Sequence, residues 1–179
     1  MFNILSKFLR ARDGSLSVEA VLVFPFLAWA IIAPMVFWDA YKSLTLVKRT
    51  TYTVADMISR SEEVDERDLE GLLQVYSFLS HAKGDRAFRV SVVGATDNGS
   101  GTTTNTIVWS KTVQDMAERT DLDGIVNRLP TLAAGEQLIV VEARQTWRPR
   151  FSVGLGEYEF AETAVVRPRF TDQLAWVGN

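Results

Sequence analysis

The sequence predicts an α+β protein: one long N-terminal helix, then a small head with an antiparallel sheet of about four strands and one or two short helices. Three observations predict this. No charged residue occurs from Ala20 to Trp38, and helical spacing of apolar residues continues beyond Trp38. Several later segments are rich in β-branched and aromatic residues and are separated by polar loops. Helices followed by grouped strands are typical of α+β folds.

The apolar run at residues 20–38 predicts a membrane segment. About 20 helical residues cross the hydrocarbon core of a bilayer, and a helix of a soluble protein would show a polar face over such a length. Pro25 and Pro34 each remove one backbone hydrogen bond and are predicted to kink the helix, which membrane helices tolerate. Residues 1–14 carry three cations, Lys7, Arg10 and Arg12, against the single carboxylate of Asp13. The positive-inside rule therefore predicts a single-pass protein with a cytoplasmic N-terminus.

After Trp38 the pattern changes from wholly apolar to amphipathic. Apolar or small residues recur at three- and four-residue spacing, at Leu44, Val47, Thr51, Val54, Ala55 and Ile58. We expect one helix from about Ser15 to Arg60, in which residues 20–38 are the membrane part and residues 39–60 the amphipathic part. The predicted organisation is a leader at 1–14, the helix at 15–60 and a head at 61–179.

Within the head, residues 61–80 predict a second helix with Asp65 or Ser61 as its N-cap. Strands are predicted at 87–95, 106–112, 136–151 and 157–170, and a short helix within 114–130. In residues 87–95, Phe88 and its apolar neighbours alternate with Arg89 and Ser91. We expect one sheet, covered on one face by helices.

The composition argues against most catalytic chemistry. The chain has no cysteine and one histidine, His81, which we interpret as an exposed residue at a helix end. Disulfides, zinc–thiolate sites and familiar catalytic triads are therefore not expected. Residues 97–101 weakly resemble a calcium loop but lack the later glutamate, so an ordinary loop is predicted. The net charge of −3 gives no nucleic-acid footprint. We expect no enzyme, no cofactor, no metal site and no nucleic-acid partner.

The triplet Arg-Pro-Arg occurs twice, at residues 148–150 and 167–169. One interpretation is that each triplet ends a strand, because proline cannot donate to a sheet and arginine keeps an edge solvated. The other is that the arginines contact a partner: Arg148, Arg150, Arg167 and Arg169.

Glu19 stands at the start of the apolar run, where burying an unpaired carboxylate costs several kcal/mol. The surrounding stretch, DGSLSVEAVLVFPFLAWAIIAPMVF, resembles the start of TadE-like pilins, minor components of the tight-adherence (Tad) branch of type IV pili. That family carries a basic leader, a glycine, a small residue, a glutamate five positions after the glycine, and an early proline. Gly14, Ser15, Glu19 and Pro25 match these features. The stretches VVEARQTWRPRF and AETAVVRPRF, which follow one another near the end of the sequence, are similar to the family's closing strands, where a final Arg-Pro-Arg is common.

The resemblance implies a type IV pilin-like fold and a minor pilin or pseudopilin that initiates or caps a pilus and so serves adhesion. A prepilin peptidase would cleave after Gly14, and Glu19 would pair with the new α-ammonium of Ser15. Other implied partners are the major Flp-type pilin, other TadE-like minor pilins and the inner-membrane pilus platform. The implied location is the bacterial inner membrane with a periplasmic head, and incorporation into an extracellular pilus is part of the same expectation. Type IV pilins usually expose Phe or Met after cleavage, where this chain has Ser15.

Two other interpretations are compatible with the residues. The chain can be an uncleaved, single-pass envelope protein whose periplasmic head binds a ligand or a protein. Alternatively, Ala28 and Ala30 match the small-x-small pattern of a signal peptidase site, which would release a secreted domain beginning at Ile31.

Overall fold

The computed structural model describes residues 15–81, 84–99 and 103–178, with only the backbone described for residues 15 and 16. The predicted leader, residues 1–14, lies outside these ranges. The elements in chain order are α1 (Ser15–Ile58), β1 (Glu63–Val64), α2 (Glu66–Ser80), β2 (Arg86–Asp97), β3 (Thr103–Val113), a 3₁₀ turn (Val126–Arg128), β4 (Gln137–Trp147), β5 (Tyr158–Val166) and β6 (Ala175–Trp176).

Helix α1 runs for 44 residues without interruption through Pro25 and Pro34. The single long N-terminal helix predicted from the sequence is thereby confirmed, with its end at Ile58. By Cα proximity the described residues form two compact units, one of residues 15–40 with 149–156 and one of residues 41–148 with 157–178. Each unit is treated on its own below.

The sheet has four strands in the order β3-β2-β4-β5, and every neighbouring pair is antiparallel. The two central strands align Val90 with Val141, and β5 places Ala164 beside Val141. The register between β2 and β3 shifts at Val92 and Val93, where the strand carries an irregularity. The predicted antiparallel sheet of about four strands is confirmed.

Helices cover one face of this sheet. The end of α1 and the apolar side of α2 pack against even-numbered residues of β2 and odd-numbered residues of β4. This core includes Ile58 of α1, Leu69 of α2, Phe88 of β2 and Val141 of β4. Tyr76 of α2 is fully buried here, and its hydroxyl donates to Gln145 Oε1 at 3.4 Å. Burial raises the pKa of Tyr76, and a hydrogen bond with Thr51 only partly opposes this rise.

An irregular segment, residues 114–134, covers the second face. It packs Ile125 and Leu132 against Val93, Leu138 and Val140. The short helix predicted within 114–130 is reduced to the 3₁₀ turn at Val126–Arg128. A local cause is visible, since the Asp121 carboxylate accepts a hydrogen bond from the Asp123 amide at 3.0 Å, and such turns compete with helix formation.

A second, two-stranded sheet was not predicted. Strands β1 and β6 pair in parallel, with Glu63 beside Ala175 and Val64 beside Trp176. The indole of Trp109 donates to the carbonyl of Leu174 at 2.9 Å, which fixes this returning segment against β3. The segment between α1 and α2 is thus paired with residues more than a hundred positions later.

Candidate functional site

The apolar part of α1, residues 20–38, presents large hydrophobic side chains to its surroundings. Leu22, Phe24 and Trp38 are 71%, 73% and 70% exposed. The most apolar stretch of α1 has a mean hydropathy of 2.4, and only 11% of it is buried. Soluble proteins rarely expose an apolar patch of this extent. This helix is long and apolar enough to cross a membrane. An N-terminal signal sequence meets the same two criteria of length and composition.

Glu19 is exposed on this helix, one turn after Ser15. It forms no ion pair with any residue that the structure describes. The sequence has no lysine or arginine between Arg12 and Lys42, so no cation of α1 lies within a few turns of this carboxylate. Gly14 lies outside the described residues, and only the backbone of Ser15 is described.

Pro25 and Pro34 lie inside α1, and each lacks the amide hydrogen that would bond four residues back. The carbonyls of Val21 and Ala30 therefore lose the amide donor that an α-helix normally provides four residues later. In the unit of residues 15–40 and 149–156, Ala33 and Val36 are buried although most of their apolar neighbours are exposed. The short stretch of α1 around Pro34 is therefore more buried than the rest of residues 20–38.

The Arg-Pro-Arg triplets follow directly on β4 and β5. Arg148 Nε donates to Glu157 Oε2 at 2.9 Å and its Nη2 lies 3.3 Å from Asp85 Oδ2, and these partners raise the pKa of Arg148. Arg167 pairs with Glu136 at 3.0 Å. Because β5 separates Arg148 from Arg167, these two cations are about 30 Å apart along the strand direction. They do not form one patch.

The other two arginines differ from each other. Arg169 contacts the carboxylate of Asp56 on α1, and its amide donates to the carbonyl of Ser59 at 2.7 Å. It thus binds the end of α1 to the residues that follow β5. Arg150 is exposed and forms no ion pair with a described residue.

A groove of about 660 Å³ lies along the second half of β5, from Glu162 to Val166. One wall is α1, with Lys48 and Tyr52, and the other wall is the segment with Arg128 and Pro130. The floor is formed by residues of β4 and β5 and by Arg167, namely Leu138, Glu162, Thr163, Val165, Val166 and Arg167. This groove was not predicted, because its three cations are far apart in the sequence.

A buried charge cluster on the second face of the sheet was also missed. Glu142 accepts from Arg89 Nε at 2.7 Å and from Arg119 Nη2 at 2.9 Å, and all three side chains are about one-tenth exposed. Burial acts to raise the pKa of Glu142, but the hydrogen bonds and charges of the two arginines outweigh it and lower that pKa. Arg89 also donates to the carbonyl of Ala117 at 2.8 Å. The cluster therefore fixes the 114–134 segment to the sheet.

Among residues 15–81, 84–99 and 103–178 there is no group of three or more His, Cys, Asp or Glu side chains that could hold a metal ion. Residues 97–99 make an ordinary turn, in which the Asp97 carboxylate accepts from the Gly99 amide at 2.9 Å. His81 is exposed at the end of α2 in the left-handed conformation, as predicted for a helix-end residue.

Comparison of the chain with protein-family models, with curated proteins and with solved structures finds no match.

Proposed function

We propose that the chain is a minor pilin or pseudopilin of a Tad-type pilus, cleaved by a prepilin peptidase after Gly14. One observation carries the proposal: Glu19 lies exposed on an apolar helix with no cation near it on that helix. The resemblance of residues 13–37 to TadE-like pilins supports it. The apolar part of α1 and the α+β head are compatible with a pilin-like layout.

Cleavage after Gly14 would supply the missing cation. The new α-ammonium would sit on Ser15, four residues before Glu19, so the two groups would occupy the same helix face. In hydrocarbon an ion pair is strongly favoured over an unpaired carboxylate. Pairing with the ammonium of a neighbouring subunit would also fix the axial register of otherwise featureless apolar helices, a specificity role that buried polar groups serve elsewhere.

In this proposal the protein stays in the bacterial inner membrane with its head in the periplasm until assembly, and then initiates or caps the pilus. Its partners are the prepilin peptidase, the major Flp-type pilin, other TadE-like minor pilins and the inner-membrane platform. Cleavage would expose Ser15 rather than the Phe or Met that is usual in type IV pilins. Whether the new N-terminus is methylated is therefore to be determined together with its identity.

The N-terminal residue of the protein recovered from membranes tests the proposal. We expect Ser15 when the peptidase is present and Met1 when its gene is deleted or when Gly14 is replaced by leucine. Met1 under all conditions would identify an uncleaved single-pass envelope protein. Ile31 would identify a secreted domain cut after Ala30.

A second prediction concerns Glu19. Glu19→Gln keeps the size of the side chain but removes its charge, so we expect normal cleavage after Gly14 and at least tenfold less protein in sheared pilus fractions. Glu19→Asp, which keeps the charge, is the matched control and should be incorporated better than Glu19→Gln. Unimpaired pilus assembly with Glu19→Gln would refute the ion-pair role.

A further inference from the structure

The groove along β5 combines two features that point to a ligand. Its floor is the outer edge of the sheet, because the strand order ends at β5 and no other described strand pairs with it. In an antiparallel sheet alternate residues of an edge strand direct their amide and carbonyl groups away from the neighbour. Strand β5 has nine residues, from Tyr158 to Val166, and contains no proline.

The walls of the groove are cationic. Lys48 on α1 and Arg128 on the 3₁₀ turn are exposed and form no ion pair with a described residue. Arg167 adds a third cation, which is paired with Glu136. Glu162 is the single acidic residue among those that line the groove. Lys48 and Arg128 stand on opposite walls, so positive charge faces the strand edge from both sides.

We propose that this groove binds an extended acidic segment of another polypeptide as a fifth strand beside β5. Backbone hydrogen bonds to the edge would give affinity, as in other cases of strand addition. Successive side chains of a strand point to opposite faces. An added strand would thus direct one set of side chains towards Lys48 and Tyr52 and the other towards Arg128, and acidic residues in both sets would meet a cation. The inference does not rest on the proposed function, since it holds for a cleaved or an uncleaved chain.

The groove favours a polypeptide over other anions for a structural reason. The edge of β5 offers amide donors and carbonyl acceptors in alternation, and only another backbone matches both at the strand repeat. Glu162 on the floor opposes phosphate or sulfate groups that would lie directly on the edge.

The test uses the full chain in detergent micelles and a fluorescent nine-residue peptide of threonine and glutamate, with binding followed by anisotropy. Its glutamates stand at positions 3, 4, 7 and 8, so that both faces of the added strand carry carboxylates. We expect saturable binding with a Kd below about 1 mM. The double variant Lys48→Glu, Arg128→Glu should weaken it at least tenfold. Lys42→Glu, Arg67→Glu is the matched control, because these residues are also exposed, unpaired among the described residues and outside the groove, and it should bind like the parent. Circular dichroism checks that each variant is folded.

Backbone methylation of the peptide separates strand addition from simple charge attraction. N-methyl groups on the alternate residues that face β5 should reduce affinity at least tenfold, whereas N-methyl groups on the other residues should not. Equal loss from both methylated peptides, or no loss from either, would overturn the proposal. Binding of polyphosphate or heparin as tight as that of the peptide would overturn it too, and would make the groove a general anion site. No detectable peptide binding is equally a refutation.

Discussion

At the scale of single residues, Glu142 shows how the head holds its least regular part. Its two carboxylate oxygens accept from Arg89 on the adjacent strand and from Arg119 on the 114–134 segment. Arg119 also donates to the carbonyl of Asp123 at 2.6 Å, and its amide donates to Ser110 Oγ at 2.8 Å. One buried carboxylate thus joins two strands to the covering segment.

Replacing Glu142 by glutamine should destabilise the head strongly. The buried guanidinium of Arg89 would lose its carboxylate partner, and that of Arg119 would keep only Asp121, at 3.9 Å. Removing one partner of a buried ion pair costs about 3 kcal/mol or more. Urea unfolding of the detergent-solubilised protein, followed by near-UV circular dichroism, measures the loss. Glu118→Gln is the control, because the exposed pair of Glu118 with Lys111 contributes well under about 1 kcal/mol. A loss no larger than that of Glu118→Gln would contradict the role given to Glu142.

The same carboxylate gives the stability a dependence on pH. The pKa of Glu142 is lower in the folded head than in the unfolded chain. Its stabilisation is therefore complete above the unfolded pKa and is lost as pH falls through the folded pKa. Glu142→Gln should flatten this acid-side part of the stability profile, which unfolding at a series of pH values would show.

The sequence could not reveal this cluster. Arg89 and Ser91 alternate with apolar residues as on a solvent-exposed face, yet Arg89 is 9% exposed and Ser91 is fully buried. Their partners Glu142 and Ser110 come from other strands. Local alternation indicates which side chains share a face, but only the tertiary structure decides whether that face meets solvent.

At the scale of elements, α2 was predictable because its signals are local. Asp65 accepts from the Asp68 amide at 2.9 Å, and the Asp68 carboxylate accepts from the Asp65 amide at 3.1 Å. This is a reciprocal capping box in which aspartate takes the place that glutamate often holds. The sequence left Ser61 and Asp65 as alternatives, and the structure selects Asp65.

Asp65→Ala should lower the free energy of unfolding of the head by about 1 kcal/mol, because the Asp68 amide at the start of α2 loses its side-chain acceptor. Thermal unfolding followed by far-UV circular dichroism measures the shift. Glu70→Ala removes an exposed acidic residue from the same helix without touching the cap and should have a smaller effect. Equal losses of unfolding free energy in the two variants would show that the capping box of Asp65 and Asp68 contributes nothing beyond the charge of Asp65.

At the scale of the whole molecule, composition alone predicts most of what is seen in α1. An uncharged run and the absence of helix-stopping signals after Trp38 suffice to predict one long helix that is apolar first and then amphipathic. Two features could not be predicted in this way: the packing of residues 114–134 on the second face of the sheet, and the pairing of β6 with β1. Both depend on irregular segments whose position is set by distant contacts rather than by periodicity.

The absence of cysteine from the chain makes the proposed membrane topology directly testable. A single cysteine at Glu118, an exposed head residue, should react with a membrane-impermeant maleimide in intact spheroplasts. A single cysteine at Ser6, in the predicted leader, should react only after the membrane is permeabilised, in a strain that lacks the prepilin peptidase and so retains residues 1–14. The opposite pattern would reverse the orientation inferred from the positive residues at the N-terminus.

The pairing of β1 with β6 also has a consequence for the order of folding. Its two strands, at residues 63–64 and 175–176, are separated by more than a hundred residues of chain. Closing so long a loop is entropically unfavourable until the sheet has formed and brought the two segments together. We therefore expect the junction between α1 and α2 to acquire its native structure late. Until then, the amides of residues 59–64 would exchange with solvent and the junction would be open to proteases.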